Sequence, residues 1–403
     1  MPARGKCRDS LPYVQLLEHP IHKSASGRAR GPGGGGIVDI VISRETLHRA
    51  LQTVQGVVES RSSAMPILQN ILLSAEGKKQ VRLLATNLDI GLRGAFEAQV
   101  AKGGSVTLNA RKLFDIVREL PDADIRLVEE DGQWVRMTCE KSSFRFPGLP
   151  PSDFPSVPET GDGEPQKVPS AVLGDMIRKT MFAISQDETR YTYNGVFMES
   201  EGEMLRIVAT DGHRLALIER PNAGAEFKNG VIIHKKALGE IVKLFSEEEE
   251  DVDIFLQDNH VIFRSGAIEL SARMIDGDFP KYRQVIPGDN NTRIIVDRDH
   301  LLRALRRVSL LSNEARMVKF VFTSGQLVLT TNGSDAGEAE ETLASDYSGD
   351  ELVIGFNARY CLDVLGILDE QNIRFELKDS LSPGIFKPED AEGYTYVIMP
   401  MRV

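Results

Sequence analysis

Cysteine is scarce. The 403 residues hold three, Cys7, Cys139 and Cys361, far apart along the chain. No C-x-x-C pair and no Cys/His cluster offers a metal site, and no cofactor is expected. Lone thiols do not make a disulfide framework, so a reducing cytoplasm is the simplest compartment. Long apolar runs are missing too: nothing approaches the roughly 18 residues a membrane helix needs, which excludes a spanning helix. The N-terminus lacks an apolar stretch followed by a small-residue cleavage site, so no secretory leader is read there. Positive charge is in deficit. The 48 Lys and Arg against 59 Asp and Glu leave a net charge of -11, which as an average argues against nucleic acid as a partner.

What is present is repetition. The stretch Asn109 to Leu120, N-A-R-K-L-F-D-I-V-R-E-L, returns as H-K-K-A-L-G-E-I-V-K-L from His234 and as N-A-R-Y-C-L-D-V-L-G-I-L from Asn357. In each copy the apolar residues fall at i, i+3, i+4 and i+7: Leu113, Ile116, Val117, Leu120; Leu238, Ile241, Val242, Phe245; Cys361, Val364, Leu365, Leu368. That spacing draws an apolar stripe down one side of a helix. Asn109 and Asn357 stand where an N-cap belongs. The copies start 125 and 123 residues apart. Other segments keep the same register. V-R-L-L-A-T-N ending at Asn87 is echoed by L-R-I-V-A-T-D ending at Asp211 and L-V-L-T-T-N ending at Asn332, and D-F-P at 153–155 returns at 278–280. Agreement of several segments on one period indicates a triplicated module.

Residues 1–37 contain G-R-A-R-G-P-G-G-G-G and little apolar content, the composition of a disordered extension. The glycine run is no phosphate loop, since no G-K-[ST] follows. Order is expected from Val38, with three units at 38–157, 166–288 and 292–403; the Pro- and Gly-rich 147–165 reads as a linker. Helices are expected at 44–58, 110–120, 173–185, 234–244, 300–312 and 358–368, with roughly eight short strands per unit. Antiparallel sheets backed by helices on one face, an α+β layering, is the natural packing.

The charge deficit is not uniform. Those six helices hold 14 Lys and Arg against 6 Asp and Glu, a charge of +8, so the rest of the chain carries -19. A single charged helix face is ordinarily solvated. Five net-positive helices and one neutral one in an acidic chain suggest a shared positive surface that would hold a duplex by its phosphates without reading its sequence. At ~8–10 Å between packed helices, twelve side by side close a circle of ~32–38 Å diameter, wide enough for a duplex, and two copies of the chain supply twelve. Six helices would close too small a circle.

The triplicate architecture, T-D-G-H-R-L at 210–215, D-G-D-F-P-K-Y at 276–282, G-F-N-A-R-Y at 355–360 and the terminal Y-V-I-M-P-M-R-V together resemble the DNA polymerase III beta subunit, the replicative sliding clamp of bacteria. The resemblance covers 38–403. It implies three tandem DNA-clamp domains, with helices lining a pore and antiparallel sheets outside, closed into a ring-shaped head-to-tail homodimer. It implies a non-enzymatic function, encircling duplex DNA to keep the replicative polymerase attached. Expected partners are double-stranded DNA, the polymerase catalytic subunit, the clamp loader and other clamp-binding peptides, with no membrane.

Carried over by motif, the partner-peptide pocket would be built from Thr210, Gly212, His213, Arg214 and Leu215 on the T-D-G-H-R-L turn. Pro280 and Val285 follow D-F-P, and Asn357 and Tyr360 come from G-F-N-A-R-Y. Val397, Met399, Pro400, Met401 and Arg402 come from the C-terminal run. Apolar walls with adaptable Met suit a short peptide, and His213, Arg214 and Arg402 would anchor it at the rim. Arg190, Thr192 and Tyr193 belong to the same wall, though the family often has R-Y-Y-L-N-G where this chain has R-Y-T-Y-N-G, and Gln284 stands where Arg is frequent. The resemblance assigns DNA contact to Arg61, Arg111, Lys112, Lys235 and Lys236. It assigns ring closure to Phe144 and Phe146 of one chain against Leu310 and Leu311 of the other, which would cover an apolar strand edge.

Two other readings compete. An enzyme could use Asp211 and His213, with Asp89, as a general acid/base pair, but no nucleophile accompanies them and the corresponding turns T-N-L-D and T-N-G-S repeat no constellation. A repeat protein that binds only proteins would keep the pocket and lose the basic surface.

Overall fold

A computed structural model describes residues 38–403 except 60–63, 162, 222–226, 228, 247–249, 313 and 334–336. The extension read at 1–37 lies outside the described residues.

Among the described residues six helices form: α1 Arg44–Val54, α2 Ala110–Glu119, α3 Ser170–Met181, α4 Lys235–Phe245, α5 Arg298–Val308 and α6 Ala358–Ile367. Their starts follow local chemistry. Ser43, Asn109, His234, Asp297 and Asn357 each accept a hydrogen bond from an amide in the first turn, occupying donors that the helix leaves orphaned. The repeated stripe is the buried face: Leu113, Val117, Leu238, Ile241, Cys361, Val364 and Leu365 are all at most 1% exposed. Some bounds differ from those expected. α1 stops at Val54 in a turn through Gln55–Val57, with Gly56 at its centre, instead of running to 58. α3 starts three residues earlier, behind Pro169, and α5 gives way at Ser309–Leu311 to a 3-10 turn.

Among the described residues twenty-five antiparallel strands build four sheets. The informative feature is how the repeats join. Strand Ile90–Glu97 of the first pairs with Ile268–Arg273 of the second, Gly91 opposite Ser271. Strand Arg214–Pro221 of the second pairs with Tyr394–Ile398 of the third, Leu215 opposite Val397. Each junction is therefore the middle of an eight-stranded sheet, and no strand edge is left there. A five-stranded sheet ends on the edge strand Ser142–Pro147, and a four-stranded sheet ends on the edge strand Gly337–Ala344.

The helices form a second layer. α1 packs on α2, α3 on α4 and α5 on α6. Across the junctions α3 meets α6, while α4 meets the turn after α1, where Lys236 Nζ lies 3.9 Å from Glu59. The row runs α2, α1, α4, α3, α6, α5. The 147–165 segment is a linker only in connectivity. Its first half is held to the first repeat by Thr107, whose hydroxyl exchanges hydrogen bonds with Leu149 N and O, and by Phe154, buried against Ile67 and Leu68.

Candidate functional site

The T-D-G-H-R-L turn is fixed by its own side chains. Thr210 Oγ1 donates to Arg214 O at 2.6 Å and accepts from Gly212 N at 3.1 Å. Asp211 Oδ1 accepts from His213 N at 2.9 Å and Arg214 N at 3.1 Å. These are the local bonds that Thr and Asp offer a turning chain. Gly212 sits at φ +90°, where an L side chain is strained, and a Cβ there would lie 3.3 Å from Arg190 Nη1.

The turn forms one wall of a cavity of about 260 Å³ at the second junction. The opposite wall is Pro280 to Val285, and the floor is Leu215, Val397 and Met399. Met399 N donates to His213 O at 2.9 Å, which fastens the C-terminal run to the turn. The second wall hangs on Tyr282. Its ring packs with Val208, Leu215, Leu217, Ile385 and Val397. Its hydroxyl donates to Glu199 and accepts from Arg206 at 3.0 Å and Arg283 at 3.2 Å. Burial alone would raise the Glu199 carboxyl; Tyr282, Arg283 and Arg206 outweigh it and hold the group below the usual range.

The proposed pocket residues divide into three groups. Tyr193, Thr210, Gly212, His213, Arg214, Leu215, Pro280, Val285, Val397 and Met399 line the 260 Å³ cavity. Arg190, Asn357 and Tyr360 line a neighbouring, more polar cavity of about 730 Å³, which His213 and Arg214 also border. Thr192, Pro400, Met401 and Arg402 line neither. Thr192 instead faces Gly277, and Met401 crosses to the third repeat, its amide donating to Gly355 O at 2.8 Å. Lys281, Tyr282 and Gln284 also line the smaller cavity. Tyr282 stands in the D-F-P-K-Y motif, one signal by which the sequence marks it.

Arg214 is no rim anchor. It is 8% exposed, and its guanidinium spans the junction. Nε meets Asp211 at 3.0 Å, Nη1 meets Asp363 of α6 at 2.5 Å, Nη2 donates to Phe182 O at 2.8 Å, and the group stacks 4.4 Å from the Tyr360 ring centre. This also answers the acid/base reading. Both Asp211 oxygens are committed, one to turn amides and one to Arg214. Among the described residues no group of three His, Cys, Asp or Glu is placed to hold a metal. Cys361, fully buried, has its thiol pushed up by burial.

On the helix row, Arg111, Lys112 and Lys236 are exposed and Lys235 is half-buried. Arg61 lies outside the described residues. Arg49, Arg178, Arg303 and Arg306 are exposed on the same helices and were not singled out by motif. With the observed bounds the helices hold 15 Lys and Arg against 7 Asp and Glu, again +8.

At the free sheet edges, Phe144 and Phe146 share one face of Ser142–Pro147, their ring centres 6.5 Å apart. Phe146 is already buried in its own sheet, so Phe144 and the strand backbone are what the edge offers. Leu310, on the 3-10 turn after α5, is 80% exposed; Leu311 is half-buried.

Comparison with known proteins matches three family models in order. They are the N-terminal, central and C-terminal domains of the DNA polymerase III beta subunit, at residues 38–158, 167–281 and 283–402. The beta sliding clamp of Caulobacter vibrioides is 40% identical over 372 residues, covering 90% of this chain and 100% of the relative. That of Pseudomonas aeruginosa is 36% identical over 365 residues, covering 90% and 99%. The crystal structure of the Caulobacter crescentus clamp superposes with a TM-score of 0.87 over 92% of this chain and 100% of that one, at 40% identity. A Pseudomonas aeruginosa clamp bound to griselimycin gives 0.86 over 91% and 100%, at 36% identity.

Proposed function

The chain belongs to the DNA polymerase III beta subunit family, and from that membership we propose which of its residues carry each part of a sliding clamp's work. The clamp itself is a processivity subunit with no chemistry of its own. Its partners as a family are DNA, the polymerase and a second copy of the chain.

The six helices face the duplex. The observation that carries this reading is one unbroken row of helices bearing +8 in a chain of net charge -11. Arg111, Lys112, Lys235 and Lys236 contact phosphates, with Arg49, Arg303 and Arg306 on the same layer. Ion contacts to phosphate carry no sequence information, which suits a ring that slides. Ring closure joins the edge Ser142–Pro147 to the edge Gly337–Ala344 of the second copy, with Phe144 meeting Leu310 and Leu311. Pairing two free edges removes both, and repeats at a third junction what the two internal junctions already do. The small cavity between Thr210–Leu215 and Pro280–Val285 takes an apolar residue of a partner peptide. Repeat boundaries near 157–166 and 288–292 fit this division of labour.

Topological binding is tested by loading the clamp on nicked circular DNA with a clamp loader and then cutting the circle. Retention before the cut and loss after it is the expected result. Equal retention on circle and linear DNA refutes encirclement. In the same assay Lys235→Glu with Lys236→Glu reduces loading; normal loading refutes the placement of those two residues.

A further inference from the structure

The turn that frames the partner cavity is built twice. At the first junction Thr86 Oγ1 donates to Ile90 O at 2.9 Å and accepts from Leu88 N at 3.0 Å. Asn87 Oδ1 accepts from Asp89 N at 3.1 Å and Ile90 N at 2.8 Å. These are the four bonds of Thr210–Arg214, one for one. The following strand crosses to the next repeat in the same way, Gly91 opposite Ser271 as Leu215 is opposite Val397. Arg273 N donates to Asp89 O at 2.8 Å, as Met399 N does to His213 O. A segment following D-F-P closes both: Ser156–Pro158 here, Lys281 onward there.

A cavity of about 440 Å³ results. Its floor differs from that of its counterpart: Gly91, Ser271 and Arg273 replace Leu215, Val397 and Met399. An apolar peptide face that suits the second junction finds a polar floor at the first, with the exposed Arg273 and Asp89 as its charged lining residues. One apolar element stands at the mouth. Leu88 is 51% exposed at φ +78°, a left-handed backbone that glycine adopts freely and a leucine does not. A strained, exposed leucine beside a cavity is an outlier that calls for a use. Val157 and Pro158 flank it. Among the described residues neither Arg273 nor Asp89 pairs its side chain with an opposite charge.

We propose that this groove at the first junction is a second peptide-docking site, taking an acidic segment whose aliphatic side chain covers Leu88, Val157 and Pro158 while its carboxylate pairs with Arg273. The inference rests on reading the Thr210–Leu215 cavity as the first such site. An acidic chain repels most acidic peptides at long range, so docking here is weak and salt-sensitive.

The test uses the full-length clamp and a fluorescent hexapeptide carrying one leucine followed by two glutamates. Titrations compare wild type with Arg273→Glu, Leu88→Gly and Met399→Glu. The expected result is two binding phases in wild type. Arg273→Glu abolishes only the weaker phase, and Met399→Glu abolishes only the stronger. Leu88→Gly weakens the weaker phase at least several-fold while the melting temperature stays level or rises, because strain is relieved. One phase in wild type that survives Arg273→Glu overturns the second site. A weaker phase indifferent to Arg273→Glu overturns it as well. Loss of both phases in Arg273→Glu overturns it too, while loss of the weaker phase alone in Arg273→Glu with neither phase lost in Met399→Glu keeps the second site and refutes the first.

Discussion

Replacing Arg214 by Ala tests how the second and third repeats are held together. Wild-type Arg214 is 8% exposed, and its guanidinium makes two carboxylate contacts, one carbonyl bond and two ring contacts, with Phe182 and Tyr360. Removing one partner of a buried ion pair costs about 3–5 kcal/mol, because the remaining charge loses its compensation. Two features pull the value to the low end. The Asp363 side chain is 31% exposed and can take up water. Asp211 keeps its two turn amides. About 3 kcal/mol is therefore expected, and it should act locally. Exchange of the amides pairing Leu215–Ile218 with Tyr394–Val397 should accelerate about a hundredfold, since each 1.4 kcal/mol is a factor of ten. Exchange at the first junction, where Ile90–Glu97 pairs with Ile268–Arg273, should not change. A double-mutant cycle with Asp363→Asn isolates the pair, with about 1–3 kcal/mol of coupling expected. A loss below about 1 kcal/mol with negligible coupling would mean that strand pairing alone fastens the junction.

Three further outcomes follow from the geometry. Tyr282→Phe keeps the ring in its apolar cluster but removes the hydroxyl that Glu199, Arg206 and Arg283 share; partner-peptide affinity should fall roughly 3–10-fold, on the order of one ordinary hydrogen bond, and an unchanged titration would show that the network does not set the wall. His234 caps α4 by accepting from Lys236 N, which requires a neutral ring, and burial, assisted by the neighbouring lysines and opposed by Asp89, depresses its pKa below 6.5. The folded chain then binds fewer protons than the unfolded one as pH falls through 6.5, so this contribution is complete above that value and lost below it. Melting temperatures measured from about pH 7.5 to about pH 5.5 should fall less steeply in His234→Asn than in wild type. Asn109→Ala removes the bond from Lys112 N at 3.0 Å and should cost about 1 kcal/mol by urea titration, with Asn109→Ser recovering most of it.

Much of the fold was legible because its signals are short-range. The stripe at Leu113, Ile116 and Val117 needs only the helical period. The caps at Asn109 and Asn357 need only a side chain within three residues of an amide. The Thr210 and Asp211 bonds close within four residues, which is why the turn could be matched across repeats before any strand was paired. The site was legible in outline, since its motifs named the turn, the Pro280 wall and the C-terminal run. Three particulars were not. Arg214 looks like an anchor in T-D-G-H-R-L, but its partner Asp363 lies 149 positions away. Tyr282 looks like part of a loop, but its hydroxyl reaches a strand 83 positions earlier. Phe146 reads as an exposed edge residue, yet its own sheet covers it.

The sequence by itself determined the repeat period, the helices with their buried faces and caps, and the uneven distribution of charge, because each is set by neighbours within one or two turns of chain. Only the tertiary structure decided which strands join one repeat to the next, which face of Arg214 is satisfied, and that two like turns frame cavities of opposite character. Those outcomes depend on side chains more than a hundred residues apart meeting across a sheet, and no local preference encodes such a meeting.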